Sequence, residues 1–198
     1  MGKTIINPIE KGLVTSNQDS KLAYYYEPNP NSVEAVNEWG PYKGKYTINK
    51  DSLNERFEYA IDKPKNTFRI ITLGDSYTYG LYVDTKDNWT EQLEDILNSK
   101  IQCRAIETIE VINLGVHGYD IQYANERFEL RGKKYNPDLV LWLIKSDDLI
   151  QLNEVMYEKL ASYAPSDGYS NWNRAMTETT QEIGETNIIQ LQQKYIQS

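Results

Sequence analysis

Three short apolar runs rich in β-branched residues constrain this 198-residue chain most strongly: Phe68-Arg69-Ile70-Ile71-Thr72-Leu73, Ile109-Glu110-Val111-Ile112-Asn113-Leu114 and Leu139-Val140-Leu141-Trp142-Leu143-Ile144. The first two stop at glycines, Gly74 and Gly115, and the third is entered through Pro137. Runs of this length fit strands of a parallel sheet covered on both faces. Between the first two, Trp89, Leu93, Ile96 and Leu97 recur at helical spacing, and residues 121–130 read as a further helix. Strands alternating with helices imply right-handed crossovers, so residues 66–198 are expected to form a three-layer α/β domain. In such sheets the loops at the carboxyl ends of the strands share one crevice. Residues 74–80, 115–120 and 145–148 should therefore meet at one mouth.

Residues 1–65 are polar, with Pro, Asn and Gly scattered among aromatic patches at Tyr24, Tyr25, Tyr26, Trp39, Tyr42 and Tyr46. They suit an irregular or short-strand extension wrapped on the core, its tyrosines covering apolar surface or stacking on sugar rings. Beyond the third run, residues 149–160 read as helix and 161–181 as loop with some helix. Ile188, Leu191 and Tyr195 follow at the spacing of an amphipathic helix, but no fourth strand does, so the sheet is expected to be incomplete at its C-terminal side.

The net charge of −8, with no Lys/Arg cluster, argues against a phosphate-tracking surface and hence against nucleic acid as a partner. No apolar run approaches the roughly 18 residues of a membrane span. The first twenty residues lack the apolar stretch of a secretory signal, which points to the cytoplasm unless an export or anchor segment has been lost. Cys103 is the lone cysteine, excludes an intrachain disulfide and is expected to be an ordinary packing residue. Asn88-Trp89-Thr90 matches a glycosylation sequon, a pattern common by chance. The oligomeric state is not encoded in any of these features.

Gly74-Asp75-Ser76-Tyr77-Thr78-Tyr79-Gly80 stands where a strand turns into a helix or loop. A serine there holds its hydroxyl in the crevice and can act as a nucleophile, with its own N–H turned to a developing oxyanion. Asp and Ser at such a place also suit a plain helix N-cap.

The chain resembles the SGNH/GDSL hydrolase family in three blocks taken in order. Gly74-Asp75-Ser76 with Gly80 is similar to the first, Asn113-Leu114-Gly115-Val116-His117-Gly118 to the second, and Asp147-Asp148, ten residues after Pro137, stands where the family has Asn-Asp. The resemblance implies a flavodoxin-like three-layer fold and acyl-ester hydrolysis or acyl transfer through Ser76, with no cofactor and with a small-molecule or carbohydrate ester as substrate. It further implies an oxyanion hole from the N–H groups of Ser76 and Gly118, supported by Asp75, Asn113 and Asp148. The family's third oxyanion donor is an asparagine, and an ionised Asp147 has no proton to give. The family's Asp-x-x-His block is absent, and the sole histidine, His117, is either a substitute base or an ordinary loop residue. Little ester turnover is expected of these 198 residues for that reason. Two other readings remain open: a divalent-cation site built from Asp75, Asp147 and Asp148, and a non-catalytic binding module on the same scaffold.

Overall fold

The computed structural model describes residues 14–22, 25–36, 44–101, 103–145 and 148, with isolated positions at 159, 162, 174, 175, 177, 178 and 181. The expected helices at 149–160 and 186–198 lie almost wholly or wholly outside the described residues, as does Asp147. In the N-terminal extension, β1 (Val14–Ser16) pairs antiparallel with β2 (Tyr26–Pro28), and β3 (Val33–Val36) pairs antiparallel with β4 (Gly44–Thr47). The expected core strands follow as β5 (Thr67–Leu73), β6 (Thr108–Asn113) and β7 (Leu139–Trp142), a parallel sheet in the order β6-β5-β7. The helices are α1 (Ser76–Tyr79), α2 (Trp89–Lys100) and α3 (Ile121–Arg127). This is an α/β fold with a three-stranded parallel sheet.

The parallel register sets Arg69 against Glu110 and Ile71 against Ile112. Ile71, Leu73, Ile112 and Leu114 pack with Tyr135 and with Leu53 and Tyr59 of the extension into one core cluster. The extension thus contributes to the same core as the sheet. Ion pairs hold it down as well: Glu27, on β2, accepts from Arg127 Nη1 at 2.7 Å and from Arg131 Nη2 at 2.5 Å. Arg69, fully buried on the central strand, pairs with Glu110 at 2.6 Å and donates to the carbonyls of Ala60 at 2.9 Å and Tyr135 at 2.6 Å. One guanidinium thereby joins the end of the extension, β6 and the approach to β7, and its five donors suit that task better than an ammonium would.

The outer edge of β6 explains the composition of α2. A parallel edge strand presents every second N–H outward, and each must find an acceptor if it is buried. Here the N–H of Ile109 donates to Asn98 Oδ1 at 2.8 Å, that of Val111 to Glu94 Oε2 at 2.7 Å, and that of Asn113 to Glu55 Oε1. The helix expected from the spacing of Trp89, Leu93, Ile96 and Leu97 is present, but its buried residues are Thr90, Glu91 and Glu94 while Trp89 and Ile96 are exposed; Glu94 supplies an acceptor to the strand edge and Glu91 pairs with Arg56. The other edge differs in kind: on β7 and just beyond it, Leu139, Val140, Trp142, Leu143 and Ile144 are all exposed.

Two further expectations need correction. Cys103 is exposed, since it falls in the turn between α2 and β6. The helix expected over 121–130 gives way after Arg127 to a widened π-type turn, Phe128–Gly132, and a tight turn, Lys133–Tyr135. That widening accompanies the convergence of Arg127 and Arg131 on Glu27. Asn88 of the sequon is buried, and its Nδ2 donates to the carbonyls of Thr78 and Tyr79, so it is no glycan acceptor in the folded chain. No helix among the described residues is long and apolar enough to cross a membrane.

Glu55 titrates against its surroundings. Burial, followed by the nearby Glu91 carboxylate, raises its pKa well above the ordinary value of 4.5. The folded chain therefore holds a proton that the unfolded chain releases, so this contribution to stability is full below pH 4.5 and is lost as the pH climbs through the raised value. Glu55→Gln keeps an acceptor for the Asn113 N–H and a donor toward Glu91. The variant should melt a few degrees above wild type at pH 8 and show a flatter stability profile by calorimetry; a lower Tm at pH 8 would mean that Glu55 works there as an anion.

Candidate active site

β5 ends at Gly74, whose φ of 154° and close surroundings exclude a side chain: a Cβ there would strike Thr78 Oγ1 and lie 3.0 Å from the carbonyl of Leu143. The missing side chain lets three strand ends close together. Leu114 N donates to Thr72 O at 2.9 Å, Val116 N to Gly74 O at 3.2 Å, and Leu143 N to Leu73 O at 2.9 Å. The loops after β5, β6 and β7 meet, as a parallel βαβ series requires.

Ser76 is the first residue of α1 and is half-buried. Asp75, before it, caps the helix by accepting from Tyr77 N at 2.9 Å. Its other oxygen takes an ion pair from Lys145 Nζ at 2.7 Å. Capping and placement of a serine at the strand end are thus compatible, and one aspartate serves the first while its neighbour occupies the second.

Lys145 is the group that sequence reasoning passed over. It follows the third apolar run directly, inside the loop expected at the mouth, but a surface lysine after a strand carries no local signal. Its ammonium lies between Asp75, at 2.7 Å, and Asp148 Oδ1, at 3.9 Å, and 5.2 Å from the ring centroid of Tyr77. Asp148 is buried and also accepts from Lys145 N at 2.8 Å. Asp75 and Asp148 are therefore brought together by a cation that the chain itself supplies.

On the β6 side, Asn113 is fully buried and its Oδ1 accepts from Gly115 N at 2.9 Å, which braces the turn into the second loop. Gly118 is exposed at a φ of 81°, a left-handed conformation suited to glycine. His117 is half-buried, and burial lowers the pKa of its imidazole, while Asp75 pushes it up and Lys145 pushes it down. Those two charges place the histidine in the electrostatic field of the Asp75–Lys145 pair. The tyrosine patch of the extension resolves into packing: Tyr25 is buried and Tyr26 half-buried against Tyr119 and Tyr123. Tyr24, Trp39 and Tyr42 lie outside the described residues.

This constellation offers a serine at a strand end, the Asp75–Lys145 ion pair next to it, and a half-buried histidine whose pKa burial lowers and both of those charges influence. Comparison with known proteins returns no matching family model, no similar curated protein and no similar solved structure.

The sole histidine makes the electrostatics directly measurable, because its ring protons give one titrating signal by NMR. Wild type should titrate below the ordinary 6.5, and Lys145→Met should move the midpoint upward by removing a repelling cation and leaving the Asp75 carboxylate uncompensated. A midpoint unchanged in Lys145→Met would mean that His117 does not face this pair.

Proposed function

We propose that this chain is a serine-dependent acyl-ester hydrolase or acyltransferase of the SGNH/GDSL type, acting through an acyl-Ser76 on a flavodoxin-like three-layer scaffold. The observation that supports it best is the conjunction of Gly74-Asp75-Ser76 at the end of the central parallel strand with the Asn113–Gly118 loop hydrogen-bonded beside it through Val116 N and Gly74 O. In this reading Ser76 Oγ attacks the ester carbonyl carbon, and the N–H groups of Ser76 and Gly118 stabilise the oxyanion. The tetrahedral species collapses with loss of the alcohol, which leaves with the proton from Ser76 Oγ, and water or an acceptor alcohol then takes the acyl group and gives a proton back to Oγ. Asp75 caps the turn that presents Ser76, and Lys145 fixes Asp75. The oxyanion role of Asp147 carries no weight here, as its carboxylate cannot donate when ionised.

The substrate is a small-molecule or carbohydrate ester. The divalent-cation reading is weakened by Lys145, whose ammonium stands between Asp75 and Asp148 where a cation would have to bind.

The first chemical step can be tested alone. A fluorophosphonate probe should label the purified protein at Ser76, with Ser76→Ala unlabelled and Mg²⁺ leaving the melting temperature unchanged. Labelling that persists in Ser76→Ala, or none in wild type, would refute the assignment; a rise in Tm with Mg²⁺ would restore the cation site.

A further inference from the structure

Tyr26 belongs to the extension, some ninety residues from the second loop, yet its hydroxyl donates to the carbonyl of His117 at 2.6 Å. The contact is reciprocated, since Tyr119 Oη donates to the carbonyl of Tyr26. A Cβ on Gly118 would come within 2.7 Å of the same Tyr26 oxygen, so the hydroxyl packs directly on the peptide joining His117 to Gly118. The ring is held edge-on by Tyr119, at 5.4 Å between centroids, and the next residue, Glu27, is anchored by Arg127 at 2.7 Å. The tyrosine is thus a fixed point to which the one exposed turn of the loop, at Gly118, is tied. Burial raises its pKa, so it stays a protonated donor.

In a trans peptide the C=O and the following N–H point in opposite directions. A hydrogen bond that turns the His117 carbonyl toward Tyr26 consequently turns the Gly118 N–H away from it. At a glycine in a left-handed conformation, where the peptide flips most easily, such a constraint has the most to do.

We propose that Tyr26 is a positioning residue of the candidate site, its hydroxyl orienting the His117–Gly118 peptide so that the Gly118 N–H faces the oxyanion formed at Ser76. This rests on the assignment of Ser76 as nucleophile. It gives the tyrosine of the extension a task in catalysis rather than in stability alone: it preorganises a donor, so that no reorientation is needed in the transition state.

Tyr26→Phe removes one oxygen and keeps the ring. The test is the rate of fluorophosphonate labelling of Ser76 as a function of probe concentration, with Tm measured alongside. The maximal labelling rate should fall about tenfold, short of the full loss of an oxyanion donor, while the half-saturating probe concentration stays within about twofold and the circular dichroism spectrum is unchanged. Wild-type labelling with the same maximal rate in Tyr26→Phe would overturn the role of Tyr26 and leave Ser76 standing. A rise in half-saturation with an unaltered maximal rate would also overturn it, by assigning Tyr26 to binding. No labelling of wild type would remove Ser76 and Tyr26 together.

Discussion

The edge of β6 is the constraint on which much of this structure depends. Its outward N–H groups at Ile109, Val111 and Asn113 are taken by Asn98, Glu94 and Glu55, two residues of α2 and one of the extension. An unsatisfied buried N–H costs about 1–3 kcal/mol, so three of them would consume much of the net stability of a domain this size. Two of the three acceptors are carboxylates, whose own burial is costly, and the cost of that choice is visible in the raised pKa values of Glu55 and Glu94. Arg56 meets Glu91 from the other side at 2.5 Å, which offsets part of the charge. The result closes the sheet on the β6 side and fuses the extension to it.

From that closed edge the geometry of the mouth follows. With β6 fixed, its last residue Asn113 sits in register beside Thr72, and its side chain turns the chain at Gly115. On the opposite flank, Asp138 accepts from Arg69 N at 2.8 Å while its own N–H donates to Arg69 O at 2.8 Å, which sets the start of β7. Three strand ends aligned in this way deliver Ser76, His117 and Lys145 to one neighbourhood. The polar groups there answer one another in sequence: Lys145 holds Asp75, Asp75 caps the turn bearing Ser76, and both charges act on His117.

The parts legible in the sequence are those governed by periodicity and backbone chemistry. Apolar runs, two stopped by glycine and one entered through Pro137, mark the three core strands, and the glycines at 74 and 118 stand where φ is positive. Hidden from it were interactions between side chains and distant backbone. The apolar spacing of α2 marks the helix but not the burial of Glu94, because nothing local announces that β6 will be an edge in need of acceptors. Lys145 was invisible for a similar reason: its partner Asp75 is seventy residues away, and only the parallel order β6-β5-β7 brings them together. Tyr25, Tyr26 and Tyr46 of the extension pack on apolar surface, one of the two roles their composition suits, but the single hydroxyl that reaches His117 has no signature in one dimension.

The central claim is that Ser76 forms a covalent acyl intermediate. The most direct measurement incubates the protein with p-nitrophenyl acetate, quenches samples in acid over a time course and maps the adduct by peptide mass spectrometry. An acetyl group on the peptide carrying Ser76, building up slowly without a resident base and absent from Ser76→Ala, is the predicted result. Acetyl found only on lysines or on Tyr77, equally in both proteins, would contradict it.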